Sequence, residues 1–137
     1  MRNKFTLTAC LGLLLAAAPA WAHHAFAAEF DSTKPIKLRG TITKVEFINP
    51  HAWIHIDVKG DDGKVVSWMV EGGSPNALYR RGVTKESLAK GTEVVVEGFL
   101  AKSGDNRANG ANVTFTDGRK LFLGSSNAAA EDDKSAK

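Results

Sequence analysis

The chain has 137 residues, 18 Lys and Arg against 15 Asp and Glu, a formal charge of +3 and one cysteine. That length is enough for one domain with a proper core, and a lone cysteine excludes a disulfide framework, which needs pairs. No stretch approaches the ~18 consecutive apolar residues of a membrane helix, which excludes a helical span.

The first 22 residues read as a secretory signal peptide. Arg2 and Lys4 precede a small, apolar run from Leu11 to Ala18, and Ala20-Trp21-Ala22 forms an Ala-x-Ala cleavage site. Leu7-Thr8-Ala9-Cys10 has the look of a lipid-attachment box, but there the apolar segment should precede the cysteine, and here it follows. Cys10 therefore leaves with the signal, and the mature chain has no disulfide. Cleavage after Ala22 leaves 115 of the 137 residues and removes Arg2 and Lys4, lowering the formal charge from +3 to +1. No basic stripe remains to bind nucleic acid. The expected product is a soluble, periplasmic protein whose first residue is His23.

His23 to Pro35 reads as a lead-in segment that Phe26 and Phe30 tack onto the body. The body, residues 36–123, reads mainly as strands. Ile36 to Ile48 is long and β-branched; its apolar positions alternate through Ile36, Leu38 and Ile42, then switch parity to Val45 and Phe47. Such a switch beside Gly40 predicts a bulge or a sharp coil. Asn49-Pro50 punctuates it, and His51 to Lys59 alternates again. Asp62-Gly63 marks a hairpin whose return strand is Lys64 to Glu71. Ser74 is placed to cap a helix with Pro75 at its first position and Gly82 at its close, and Thr84 to cap a further turn ending near Gly91. Thr92 to Lys102 reads as a strand, Asp105 to Gly110 as a turn-rich loop, and Ala111–Thr116 with Lys120–Leu123 as a last hairpin around Asp117-Gly118. Gly124 to Lys137 has no large apolar residue and reads as a disordered tail. The order predicts a mainly β fold: a small five- to six-stranded antiparallel OB-like barrel with one short helix between strands 3 and 4. A small β-sandwich or roll is the alternative.

The four histidines, His23, His24, His51 and His55, fall in two short clusters. A mature N-terminal His23 offers its α-amine, with a pKa near ~8, and a ring nitrogen as a chelate. One further imidazole from His24, His51 or His55 completes a three-nitrogen set that suits Cu(II). This arrangement resembles the histidine brace of copper monooxygenases and of some periplasmic copper carriers, over the first mature residue alone. His51 and His55 sit four apart on a predicted strand, so their α-carbons lie about 13 Å apart on one face and do not share a metal. The alternative is that His23 and His24 are solvated and that His51 and His55 are ordinary strand residues.

A second constellation lies on the middle hairpin. Ile54, Ile56 and Val58 point one way, His51, Trp53, His55 and Asp57 the other. An even-length turn at Asp62-Gly63 puts Trp68 and Val70 on the Trp53 face. In OB barrels the outer face of strands 2 and 3 is the usual ligand surface. Trp53, Trp68, His51, His55 and Asp57 then form a candidate site for a small molecule or a periplasmic partner protein. Alternatively, both indoles are packed as core. Glu46 and Glu71 lie near this face without a demonstrable pairing. No nucleophile elbow frames any serine, so catalysis has little support. Asp61-Asp62-Gly63 is too short for a calcium loop, and Arg80, Arg81 and Arg107 read most simply as solvated.

His23-His24-x-Phe26, Ala28-Glu29-Phe30-Asp31, Asn49-Pro50-His51-Ala52 and Gly73-Ser74-Pro75-Asn76 together resemble a family of small exported bacterial proteins of unknown function, from His23 to Ser126. The resemblance implies an exported single-domain protein in which the Asn49–Ala52 turn and the His-His start act as a unit. It implies no activity. Two functions remain: a non-catalytic binding module, or a copper-binding protein built on His23.

Overall fold

The computed structural model describes residues 26–124. The expected signal peptide, His23, His24 and all but the first residue of the expected tail lie outside them. The fold is mainly β. Six strands follow one another as β1 (Phe30–Ile48), β2 (His51–Lys59), β3 (Val65–Glu71), β4 (Glu93–Ala101), β5 (Arg107–Phe115) and β6 (Lys120–Phe122). One short helix, α1 (Pro75–Arg80), stands between β3 and β4 as expected, and a second helical turn covers residues 26–29.

β1 is longer than its expected start at Ile36, because Phe30 to Pro35 also lies along β4. Its first half, to Thr41, pairs with β4, and its second half, from Thr41, pairs with β2. The handover occurs at Gly40, where a Cβ would stand 2.6 Å from the Asp57 carbonyl oxygen, so only glycine lets the two backbones approach. The ladder to β2 slips between Ile42 and Lys44, which is the bulge that the parity switch predicted. A two-residue turn, Asn49-Pro50 with a cis peptide bond, returns the chain into β2.

The strands pair in the order β3-β2-β1-β4-β5-β6, with a further β3–β5 pairing. The pairings β1–β2, β2–β3, β3–β5, β5–β4 and β4–β1 therefore run round in a ring. The β3–β5 link is parallel and spans Met69 to Glu71 against Arg107 to Asn109, so the expectation of purely antiparallel strands is corrected there. It also explains why Arg107 to Gly110, expected as loop, is strand: this segment has partners on both sides, β3 and β4.

The ring surrounds the core. Ile42, Ile54, Ile56, Val70, Val94, Val96 and Val113 are buried, and Leu78, Val83 and Leu88 close the cluster from α1 and the segment after it. Burying each such side chain is worth roughly 1.5–3 kcal/mol. α1 begins as expected: Ser74 Oγ accepts from the Ala77 amide at 3.3 Å and Pro75 occupies the first turn. Gly82, at φ +77°, follows its end. The segment after Thr84 makes turns held by Thr84 and Ser87, with the Thr84 amide donating to Ser87 Oγ at 2.6 Å. Arg81 is not simply solvated: it donates to the Gly124 carbonyl at 2.6 Å and lies over the Phe122 ring.

Candidate functional site

Alternation places the two faces of β2 as expected. Ala52, Ile54 and Ile56 are fully buried, while His51, Trp53, His55 and Asp57 are half-buried on the outer face. The face of Trp68 and Val70 is a correction. The β2–β3 loop holds five residues, from Gly60 to Lys64, with Lys59 opposite Val65. That odd count flips the return strand relative to an even turn. Trp68 stands opposite Ile56 and Val70 opposite Ile54, so Val70 is core and Trp68 packs against it. Trp68 is therefore not on the candidate binding face. Ser67, Met69 and Glu71 take the places beside Asp57, His55 and Trp53.

Each polar residue of this face has an assigned partner. Ser67 Oγ donates to Asp57 at 2.6 Å. His55 Nε2 meets Glu46 Oε2 at 2.7 Å, and Lys44 Nζ lies 2.6 Å from the other Glu46 oxygen. The Lys44 ammonium, and then His55, hold the Glu46 carboxyl below its ordinary range. His51 Nδ1 lies 3.1 Å from Glu71 Oε1. Glu46 and Glu71 flank Trp53 in register on opposite strands, so they do not form a carboxylate pair.

Glu71 stands apart. It is 8% exposed, the one buried charged residue among those described. Burial pushes its carboxyl up; His51 and Arg107 pull against that shift, and Glu29 adds to it. Between the ordinary carboxyl value and the raised one, the folded state holds a proton that the unfolded state has released. Stability contributed at this residue is thus highest in acid and falls as pH rises through that window. Replacing Glu71 with Gln removes this slope. The denaturation midpoint of the variant, relative to the unaltered protein, should climb in urea titrations as pH rises above the ordinary carboxyl value. An offset that stays constant with pH would show that Glu71 ionises normally. The carboxylates of Asp31, Glu46, Glu86, Glu97 and Asp117 are shifted the opposite way, and they cancel in the comparison.

The lead-in segment is fastened beside this face. The Phe26 ring packs 5.8 Å from Phe30 and 5.9 Å from Phe99, so the expected tacking role of both residues holds. Glu29 accepts from Arg107 at 3.3 Å, and the Arg107 guanidinium lies 5.2 Å from the centre of the Trp53 ring. Arg107, expected as solvated, thus links the lead-in to the central residue of β2. Its place follows from the β3–β5 pairing, and no short-range sequence signal reports it.

His51 and His55 do not converge; each holds its own carboxylate. Among the described residues no group of three or more His, Cys, Asp or Glu side chains is arranged to hold a metal. The brace expected at His23, with or without His24, falls outside those residues. A shallow groove of about 330 Å³ lies elsewhere, along β1, β4 and β5, between Pro35, Lys37, Glu97 and Phe99. Its charges are already paired, Lys37 with Glu97 at 3.4 Å.

Among the described residues no helix is long and apolar enough to cross a membrane. No curated protein matches the chain. Residues 11–111 match the model of a protein family described as a family of unknown function, and that span contains every residue of the face and its lead-in.

Proposed function

The chain belongs to this family of unknown function, DUF6152, and we propose that it is an exported, periplasmic binding module without catalytic activity. Its ligand surface is the outer face of β2 and β3, made by His51, Trp53, His55 and Asp57 and extended by Glu71 and Arg107. Trp68 leaves the set. The ring of strands is read as an OB-like barrel, supported by the β1-β2-β3-β5-β4 closure and by a helix between β3 and β4. In that fold the same outer face is where ligands rest.

The observation that carries the reading is the company kept by Glu71. A carboxylate that is 8% exposed sits on the outward-facing row beside Trp53 rather than in the core pattern. A buried charge is costly unless it has work to do or a partner. Its surroundings, an indole, an imidazole and a guanidinium, are groups that stack on and hydrogen-bond a small ligand or a loop of a partner protein.

The test uses Trp53 as reporter. Trp68→Phe removes the core indole, and cleavage after Ala22 removes Trp21, which leaves Trp53 as the single tryptophan. Simple sugars, short peptides and aromatic acids are titrated in turn. Saturable change in Trp53 emission, lost in His51→Gln and Arg107→Ala variants that melt normally, supports the face. No saturable change with any probe class contradicts it. A copper-binding reading shares the same face, and one observation favours it: His51 presents one ring nitrogen to Glu71 and has no hydrogen-bond partner at the other among the described residues.

A further inference from the structure

β3 is paired on both sides over only part of its length. Met69 to Glu71 lie between β2 and β5. Val65 to Trp68 pair with β2 alone among the described residues. Alternation fixes which backbone groups this leaves over. The Gly60 amide donates to the Lys64 carbonyl at 2.8 Å, and the Gly72 amide donates to the Ala52 carbonyl at 2.8 Å, so the even-numbered residues here bond toward β2. The Met69 amide donates to the Asn106 carbonyl at 3.0 Å, on the far side. Val65 and Ser67 share the phase of Met69, and each therefore aims an amide and a carbonyl away from β2. Among the described residues no backbone group meets them.

Natural sheets blunt such edges with proline, bulges or charge. This edge carries apolar side chains instead: Val65 is 59% exposed and Val66 38%. Val66 stands opposite Val58, which packs against the core cluster. The nearest charge along the chain, Lys64, bounds the stretch and lies 3.8 Å from Asp62 at the surface.

We propose that this edge pairs with the same edge of a second copy of the chain, antiparallel about a two-fold axis at Val66. In that register Val65 of each copy faces Ser67 of the other, the arrangement in which opposed residues exchange both of their hydrogen bonds. Every outward group is used. A two-fold contact needs a self-complementary patch, and the side chains supply one. Val66 meets Val66, which joins the Val58–Val66 pairs of both copies into a single apolar row. Lys64 falls opposite Trp68 of the second copy rather than opposite another lysine, which sets its ammonium beside a half-buried indole. The register is bounded on both sides. A shift toward Met69 meets an amide already given to Asn106, and a shift toward Gly63 meets an amide already given to the Gly60 carbonyl. A contact one short strand long lies at the small end of specific interfaces, so the dimer is weak and concentration-dependent. The face around Trp53 takes no part in it.

Sedimentation equilibrium of the protein, at concentrations up to about 1 mM, measures the association. The unaltered protein should pass from monomer toward dimer and no further, because a two-fold contact closes on itself. Val65→Pro removes an outward donor at the first residue of the strand, where proline is tolerated. Val66→Lys places like charges across the axis. Each should weaken association by about tenfold or more. Ile48→Ser, at an apolar residue 60% exposed elsewhere on the surface, should leave it unchanged. Thermal melts confirm that each variant folds. Amide hydrogen exchange needs no variant: Val65 and Ser67 should exchange more slowly as the protein concentration rises. A protein that stays monomeric throughout overturns the proposal. A dimer that survives both Val65→Pro and Val66→Lys uses another surface and also overturns it. Slow exchange at Val65 and Ser67 that does not depend on concentration, and is lost when residues 125–137 are removed, would assign the edge to the chain's own C-terminal segment and likewise overturn it.

Discussion

Replacing Gly98 with alanine is expected to cost about 3 kcal/mol, the upper part of the range for overpacking, and to lower the melting temperature by on the order of 15 °C for a domain of this size. Gly98 lies where the β4–β5 ladder slips, with Glu97 opposite Asn112 and Gly98 opposite Gly110, so that Ala111 is left over. A Cβ at Gly98 would land on the Asn109 carbonyl oxygen. That obstacle is the backbone of the paired strand, which moves only if β5 moves. The same stretch of β5 carries Arg107 and closes the ring against β3. Differential scanning calorimetry measures the shift, and alanine at Gly72 is the control, because its Cβ position meets nothing nearer than the Leu123 carbonyl oxygen at 3.4 Å. A Gly98→Ala protein that melts no lower than the Gly72→Ala protein would mean that β4 and β5 are not in this register.

The two indoles of the hairpin should behave oppositely. Trp68→Ala is expected to destabilise the fold by about 2–3 kcal/mol, somewhat below the ~3–5 of fully buried aromatic truncations, because Trp68 packs on the core cluster while remaining half-buried. Trp53→Ala should cost about 1 kcal/mol, chiefly its contact with Arg107. Urea unfolding of both variants decides between the observed register and the even-turn register. In the even-turn register the two losses would be alike.

Why one hairpin register was legible and the other was not comes down to range. His51–Lys59 could be read to its ends because alternation, Asn49-Pro50 and Gly60 are all local signals. The cap at Ser74-Pro75 and the bulge after Ile42 were legible for the same reason. The face of Trp68 depends on how many residues the loop uses. Asp62-Gly63 suggested an even turn, but the Gly60 amide donates to the Lys64 carbonyl at 2.8 Å while its own carbonyl accepts from the Gly63 amide at 2.9 Å, and this makes the loop one residue longer. A single residue moves an indole from the outer face to the core side of the hairpin.

The candidate site was half legible. His51, Trp53, His55 and Asp57 share the outer face because the period of a strand puts them there. Their partners were not readable. The Glu29–Arg107 contact joins residues 78 apart and exists because β3 meets β5 in parallel, a pairing that neither strand announces. Glu71 looked like the last, polar residue of a strand; in the fold it has strand partners on both sides, Trp53 on β2 and Asn109 on β5. Charge and alternation describe a residue's own strand, whereas burial describes the strands that arrive later in the chain.

Amide NMR of the protein prepared to begin at His23, during substoichiometric Cu(II) addition, examines the face without any substitution. Broadening should begin at His51–Trp53, at Val70–Gly72 and at Arg107–Asn109, with Asp57–Lys59 and the Thr114–Lys120 hairpin unaffected until excess metal is present. Broadening that starts at the Gly60–Lys64 loop or the β5–β6 turn, while His51 to Trp53 stays sharp, would contradict the reading of His51 as a copper ligand on this face.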